Sequence, residues 1–252
     1  MNHINITHTR STASDPALYD DHANQWWDGS KKWVRTLQNM VPGRFTHFDP
    51  IVERHGGWEG KRVLDLGCAG GFMAEALAER GTVVTGIDPA AKAVEAARAH
   101  AAFRDFDIQY DVGVGEQLPY DSGSFDHVVC VDVLEHVTDL DKVISEVARV
   151  LKPGGLFLFD TINRNILARL AVITAAENVL RLLPKGTHDP KLFIKPKELL
   201  AHFDTHGLKP GKITGLGPRG INKRFDFTFG TLPMTAILYI GHAEKAEGRA
   251  RL

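Results

Sequence analysis

The amino-acid sequence predicts an α/β fold, a parallel doubly wound sheet with helices on both faces, and three observations carry that prediction. Short apolar or β-branched runs alternate with helix-length segments from residue 62 to residue 161, the rhythm a parallel sheet imposes because each crossover needs a helix. A loop of small residues, Gly67-Cys68-Ala69-Gly70-Gly71, joins the first of these runs to a helix. The length of 252 residues, 43% hydrophobic and 24% charged, suits one large soluble domain with a sizeable core. With 30 Lys and Arg against 31 Asp and Glu, the net charge of -1 gives no electrostatic reason to grip nucleic acid. The two cysteines, Cys68 and Cys130, fall in apolar stretches and make neither a disulfide framework nor a four-thiolate zinc site. Residues 1–16 contain no apolar run, so no signal peptide is expected, and no 18-residue uncharged apolar stretch suggests a membrane span. The expectation is a soluble, cytoplasmic protein.

Taken in order, residues 1–15 are polar and expected to be ragged. Segment 19–40, YDDHANQWWDGSKKWVRTLQNM, has the spacing of one or two amphipathic helices carrying Tyr19, Trp26, Trp27 and Trp33. Turn signals at Pro42-Gly43 and Gly56-Gly57 bracket a further helix. Residues 1–55 therefore read as an N-terminal helical cap, and 56–252 as the main domain. Within it, 62–66 (RVLDL) is a strand, 70–80 a helix closed by Gly81, 82–88 (TVVTGID) a strand, and 89–102 an Ala-rich helix opened by Pro89. Residues 107–113 form a weaker strand, 125–132 (FDHVVCVD) a buried one, 140–151 a helix stopped by KPGG, and 156–161 (LFLFDT) the fifth strand. A helical insertion at about 163–206 follows: one long helix through NILARLAVITAAENVLRLL, ended by Pro184-Lys185-Gly186, then a helix at 195–206. The tail, through KITGLG, FDFTFG and TAILYIGHA, reads as the last two strands of a seven-stranded, mostly parallel sheet.

Such a sheet binds its ligand beyond the carboxyl ends of the strands, where strand order reverses. Small residues let the backbone approach that ligand, and the helix N-terminus presents N–H groups and positive dipole to an anion. Two ligands suit the device. The dinucleotide fingerprint G-x-G-x-x-G is not met, because the glycines are Gly67, Gly70 and Gly71 with Ala69 among them. S-adenosylmethionine (SAM) carries a carboxylate and an ammonium but no phosphate, and suits a loop preceded by an acid such as Asp65. Asp88 ends the second strand 17 residues after Gly71, where a carboxylate can accept from both ribose hydroxyls of SAM or NAD. The spacing favours SAM, with NAD and a ligand-free strand–helix turn left open.

VLDLGCAGG, GIDP at 86–89, GEQLPYDSGSFDHVVC at 115–130, LEHV at 134–137 and RVLKPGG at 149–155 together resemble class I SAM-dependent methyltransferases, whose fold is Rossmann-like. More narrowly, TINRN at 161–165, AENVLRLLPKGTHD at 176–189 and FIKPKEL at 193–199 resemble the bacterial ubiquinone-biosynthesis O-methyltransferases, the 3-demethylubiquinol 3-O-methyltransferase family. WWD at 26–28 and PGR at 42–44 echo that family's N-terminal helix and the arginine that meets the SAM carboxylate. The chain departs from the family at Ala69, where glycine is usual, and through 29–48 and 215–230.

The resemblance implies a SAM site of Arg44, Asp65, Gly67, Cys68, Ala69, Gly71, Asp88 and Pro89, with Gly115 and Glu116 along the adenine and Leu118 as an apolar contact. Val114 stands where many relatives have Asp, so backbone groups and packing would hold the adenine. Val131 and Asp132 would face the methionine portion. Asp132, Glu135 and His136 are the catalytic candidates. His136 suits proton uptake; alternatively the three hold Mg2+ that lowers the acceptor pKa, since relatives carry E-x-x-E-H and depend on magnesium. A capping role for Glu135 and His136 is the third reading. Trp27, Lys185 and His188 would contact the acceptor, although PKGTHD also reads as an ordinary helix-stop turn.

Ile166, Leu170, Ile173, Leu180 and Leu183 recur at helical spacing, interrupted by Arg169, Glu177 and Arg181. That stretch is either a core helix or a lid making peripheral membrane contact. His3, His8 and the other histidines read as surface residues. The implied function is SAM-dependent O-methylation of a phenolic, catechol or prenylated quinol acceptor. Another small phenol, thiol or amine as acceptor, or a SAM-binding module without chemistry, stays open.

Overall fold

The computed structural model describes residues 20, 25–180, 182 and 186–247; His3, His8, Tyr19, Arg181, Leu183 and Lys185 lie outside them. The first long element is α1 (Lys32–Glu53), one continuous helix with Pro42 and Pro50 inside it. The turn expected at Pro42-Gly43 does not form. Gly43 serves a different need: a Cβ there would lie 2.5 Å from the carbonyl oxygen of Phe229, so the helix runs flush against a strand backbone. Phe45, Phe48, Ile51 and Val52 point inward from this helix and are buried.

The βα alternation follows as expected: β1 (Arg62–Leu66), α2 (Phe72–Ala78), β2 (Val83–Asp88), α3 (Ala91–Phe103), β3 (Ile108–Val112), β4 (Phe125–Cys130), α4 (Leu140–Val150) and β5 (Leu151–Ile162). Helix α4 buries Val143, Ile144, Val147, Ala148 and Val150, and Asp139 caps it by accepting from the Lys142 amide. β5 does not wait for Leu156. Leu151 already pairs with Phe125, and a register shift at the KPGG segment absorbs what reads as a stop signal. The insertion is less regular than one long helix: α5 (Ile166–Arg169) continues as a π-helical coil over Leu170–Val179. Then come α6 (Pro196–Thr205), β6 (Leu208–Pro210), β7 (Thr214–Ile221), β8 (Phe227–Leu232) and β9 (Leu238–Lys245).

The strand order is β3-β2-β1-β4-β5-β9-β7-β8, with β6 also on β9. β3, β2, β1, β4 and β5 are parallel, and β1 pairs with both β2 and β4, so strand order reverses between β1 and β4. β9 is antiparallel to β5 and to β7. The sheet thus has nine strands where the sequence suggested seven. Two causes account for the excess. β6 and β7 follow the same edge of β9 but slip by one residue between Pro210↔Ala243 and Thr214↔Ile240, which divides one strand into two. β8 folds back on β7 as a hairpin and adds an outer strand.

Both faces of the parallel half are covered, as the unbroken apolar runs require. Val63, Val129, Leu156 and Leu158 pack on the side of α1 and α2, while Leu64, Val128, Phe157 and Phe159 pack on the side of α4 and α6. Asp65, Asp88, Asp132 and Asp160 interrupt this apolar sheet only at its carboxyl edge.

Candidate active site

At the point of reversal a cavity of about 650 Å³ opens between α1 and the ends of β1, β2 and β4. The small-residue loop forms its floor. Gly67 and Cys68 donate their amides to the Ile87 carbonyl at 2.8 and 3.1 Å, which folds the loop back over β2. Gly67 has φ +80, and a Cβ there would lie 2.1 Å from the Val133 side chain. Gly67, Cys68, Ala69, Asp65, Asp88, Pro89, Gly115, Glu116 and Val131 all line the cavity, where the sequence placed them. Gly71 does not. It sits with φ +90 at the start of α2, where a Cβ would meet the Tyr110 hydroxyl at 2.6 Å, so it shapes the loop from behind. Leu118 is buried in the core instead of against the cavity.

The acids at the strand ends do more than face a ligand. Asp88 accepts from the Ala69 amide at 2.9 Å and the Ala90 amide at 2.8 Å, locking the loop to the start of α3. Burial pushes its carboxyl up to about 6, against the pull of those two amides. Asp65 is 1% exposed and its Oδ2 has no hydrogen-bond partner. Burial and the neighbouring Asp88 raise it to about 7, with Arg44 opposing. A buried carboxylate with an orphaned oxygen is costly and fits a cationic ligand group. The ammonium of SAM is such a group.

Arg44, 3% exposed, lies in the cavity wall with Asp160 and Asp132 beside it. Its Nε donates to Asp160 Oδ2 at 2.6 Å and its Nη2 to Asp132 Oδ2. Burial opposes the charge, but the two carboxylates outweigh it and hold the guanidinium ionised. Asp160 also accepts from the Asp132 amide at 2.9 Å, and burial, despite Arg44, pushes its carboxyl up to about 6. Two acids thus share one cation. Glu116 accepts from the Thr138 amide and hydroxyl at 2.9 and 2.7 Å, tying the 113–116 segment to the opposite wall.

Of the two adjacent tryptophans, the structure brings Trp26 to this cavity and turns Trp27 away, contrary to the acceptor contact expected of Trp27. The Trp27 indole N–H needs an acceptor and finds the Gly70 carbonyl at 3.0 Å, while its ring stacks on His100 with centroids 3.5 Å apart.

A second cavity of about 260 Å³ adjoins the first, and the two meet at Leu37, Asp132 and His136. Its wall is almost wholly apolar: Met40, Ile162, Val172, Ala176, Phe229 and Leu238 contribute, with His188 and Thr187 at one side. Beside the junction, ligand atoms of Glu135, His136 and His188 lie within 4.8 Å of one another. Glu135 is 1% exposed; its Oε2 accepts from the Thr161 hydroxyl at 2.6 Å and its Oε1 has no partner. Burial, reinforced by Asp132, pushes it up to about 8. Burial and His188 drive His136 down to about 3, so its imidazole is neutral and is a weaker proton acceptor than its sequence position suggests. His188 owes its place to Glu177, a 3% exposed acid of the π-helical coil that accepts from the His188 ring Nδ1 at 2.8 Å, the His188 amide and the Gly186 amide. Lys185, expected in the same cluster, lies outside the described residues.

The expected magnesium set is not assembled here, because Asp132 is drawn to Arg44 and His188 takes its place. Two imidazoles and one carboxylate do not suit Mg2+, which demands octahedral oxygen ligands.

A doubly wound sheet with this loop, the buried acid near the end of β1 and the acid that closes β2 defines a class I SAM-dependent methyltransferase. Residues 64–159 match the family described as a methyltransferase domain. A solved SAM-dependent methyltransferase from Aquifex aeolicus shares the fold at a TM-score of 0.61 and 15% identity, over 92% of this chain and 100% of that one. The ubiquinone biosynthesis O-methyltransferase of Alkalilimnicola ehrlichii is 38% identical over 93% of this chain and 92% of its own. That of Escherichia coli O9:H4 is 40% identical over 83% and 86%. The chain belongs to the ubiquinone biosynthesis O-methyltransferase family, and it is a SAM-dependent O-methyltransferase.

Proposed function

We propose that the chain transfers the methyl group of SAM to a hydroxyl of a catechol or quinol bearing an apolar, prenyl-type chain. The carrying observation is the apolar cavity that opens off the donor cavity at Asp132 and His136. An aromatic head at that junction faces the donor, and its tail has an apolar channel to fill.

In this reading Asp65 meets the SAM ammonium, Arg44 its carboxylate, Asp88 the ribose, and Pro89, Gly115 and Glu116 the adenine. The sulfonium is reactive by itself: the acceptor oxygen attacks the methyl carbon, the C–S bond breaks, and sulfur keeps the electron pair. The protein supplies in-line positioning, worth about 7–11 kcal/mol in favourable cases, and proton removal, worth about 10²–10⁴-fold. Glu135 lines neither cavity and sits beside His136, which lines both, so the phenolic proton passes through the His136 ring to the Glu135 carboxylate, whose affinity for it burial has raised to about 8. Neutral His136 accepts a hydrogen bond from the hydroxyl and orients it, and Asp132 steadies Arg44.

The insertion supports delivery from a membrane surface. Among the described residues no helix is long and apolar enough to cross one, yet Ile166, Leu167, Leu170 and Val179 are more than half exposed. Ile173 packs inward against the Ile162, Val172 and Phe193 cluster, so these four, not Ile173, form the outward face.

The test is a methyl-transfer screen of SAM with simple catechols, short-chain prenyl quinols, thiols and amines, with and without magnesium. We expect S-adenosylhomocysteine from catechols, higher kcat/KM with a prenyl chain, and loss of turnover in Glu135→Gln with SAM affinity retained. Preference for a thiol or an amine would discard the proposal.

A further inference from the structure

We propose that the tip of the β7–β8 hairpin is a docking surface for an anionic lipid bilayer. The proposal rests on the reading above for its purpose, since a lipid-borne acceptor must be collected from a bilayer, but its geometry stands apart. The tip carries Ile221, 62% exposed, and Phe225, 87% exposed. Phe225 also has φ +61, a left-handed conformation that a bulky side chain adopts only when its surroundings hold it there. They do. The Asn222 amide donates to the Asp226 carbonyl at 2.9 Å, the Phe225 amide donates to the Asn222 carbonyl at 3.0 Å, and the Asn222 side chain accepts from the Arg224 and Asp226 amides. The hairpin thus fixes an aromatic ring in solvent, where it packs on no other ring and adds nothing to the core.

The charge around the ring selects the partner. Lys223 and Arg224 are exposed beside it, and Lys31, Lys32 and Arg35 approach from the start of α1. Asp226 is buried and committed to Arg35 through two hydrogen bonds of 2.9 and 3.1 Å. Asp28 is the other acid here among the described residues, and it caps the Ser30 amide. Five described cations thus stand with two acids, one of them paired with Arg35. A second copy meeting this patch through a twofold axis would oppose like charges, whereas anionic headgroups complement it and a Phe–Ile tip beds at headgroup depth.

Position completes the case. Ile221 pairs with Phe227, and Phe227 lines the apolar cavity opposite Ala171, Val172 and Ala175 of the insertion. Tip and insertion are therefore two sides of one rim, and a bilayer resting on both would face the cavity reserved for an apolar chain.

The experiment is co-sedimentation of the full chain with vesicles of phosphatidylcholine alone, and of phosphatidylcholine mixed with phosphatidylglycerol, at low and high salt. Wild type should sediment with the anionic vesicles only, and less at high salt. Phe225→Gly relieves the left-handed strain, so it should fold at least as well, yet it should lose about tenfold or more in vesicle affinity, as should Lys223→Glu with Arg224→Glu. Methylation of a water-soluble catechol should be unchanged in both variants. Equal binding of wild type and Phe225→Gly, equal binding to neutral vesicles, or an altered oligomeric state in either variant would overturn the proposal. Vesicle binding through the tip without catechol turnover would sink the acceptor assignment alone; catechol turnover without vesicle binding would sink the docking surface alone.

Discussion

Replacing Arg44 by Met tests the electrostatic centre of the site. The substitution keeps an unbranched chain next to Met40 and removes the cation that Asp132 and Asp160 share. Breaking a buried ion pair by deleting one partner costs about 3–5 kcal/mol, because the remaining charge stays buried. For a domain of this size each kcal/mol lowers Tm by about 2–4 °C, so the variant should melt about 6–20 °C below wild type near neutral pH. The pH dependence is diagnostic. In the wild type Asp160, raised by burial to about 6, favours folding while it holds its proton, and that contribution is lost as pH rises through 6. Without Arg44 the carboxylates are harder to ionise still, so the deficit should be largest above pH 7 and shrink towards pH 5, where the acids are protonated. Urea titrations of both proteins at pH 5 and 7.5 measure this. A deficit within 1 kcal/mol at both pH values, or one that widens on acidification, would refute the reasoning.

Three further outcomes follow from the same geometry. SAM brings its ammonium beside Asp65 and its ribose hydroxyls to Asp88, and both favour the ionised form of carboxyls that burial has raised to about 7 and about 6, so binding near pH 7 should release protons and weaken as pH falls to 5.5; calorimetric enthalpies that do not depend on the buffer's ionisation heat would contradict it. Asp88→Ala should weaken SAM binding by about 1–3 kcal/mol through unpaired ribose hydroxyls and should also destabilise the fold, because the Ala69 and Ala90 amides lose their acceptor; a destabilised variant with wild-type affinity would make Asp88 a purely structural clamp. Glu177→Gln should raise KM for a prenyl acceptor by about two- to tenfold with SAM affinity intact, since hydrogen bonds worth about 0.5–1.5 kcal/mol that hold the 186–188 turn and His188 in the apolar wall are weakened; steady-state kinetics and calorimetry separate the two effects.

The lining of the larger cavity was legible because its determinants are local. Asp65, the glycine loop and Asp88 each sit at the end of a strand whose limits the apolar pattern marks, and the parallel sheet places such ends together. Long-range partners were not legible. Asp160 reads as one polar residue in LFLFDT, and its importance comes from Arg44, 116 positions earlier. Glu177 did leave a signal, a lone acid in an apolar run, but it reads as an interruption until the 186–188 turn folds back on it. Trp26 and Trp27 are indistinguishable in sequence; which one reaches the cavity depends on the Gly70 carbonyl capturing an indole N–H. The β6–β7 slip depends on pairing along β9 and the added β8 on pairing with β7, neither of which residue alternation encodes.

Among the described residues β9 is the latest of the nine strands, yet it is wedged between β5 and β7. During synthesis the parallel half can therefore form while β5 presents an unpaired margin, with the β7–β8 hairpin unable to join it. That margin, Leu156–Ile162, pairs along its length only once residues 238–244 have emerged. Until then an apolar open edge invites contact with other chains. The yield of folded protein should accordingly depend on how quickly synthesis reaches the end of this strand, and a chain halted before residue 238 should aggregate instead of persisting as a weakened enzyme.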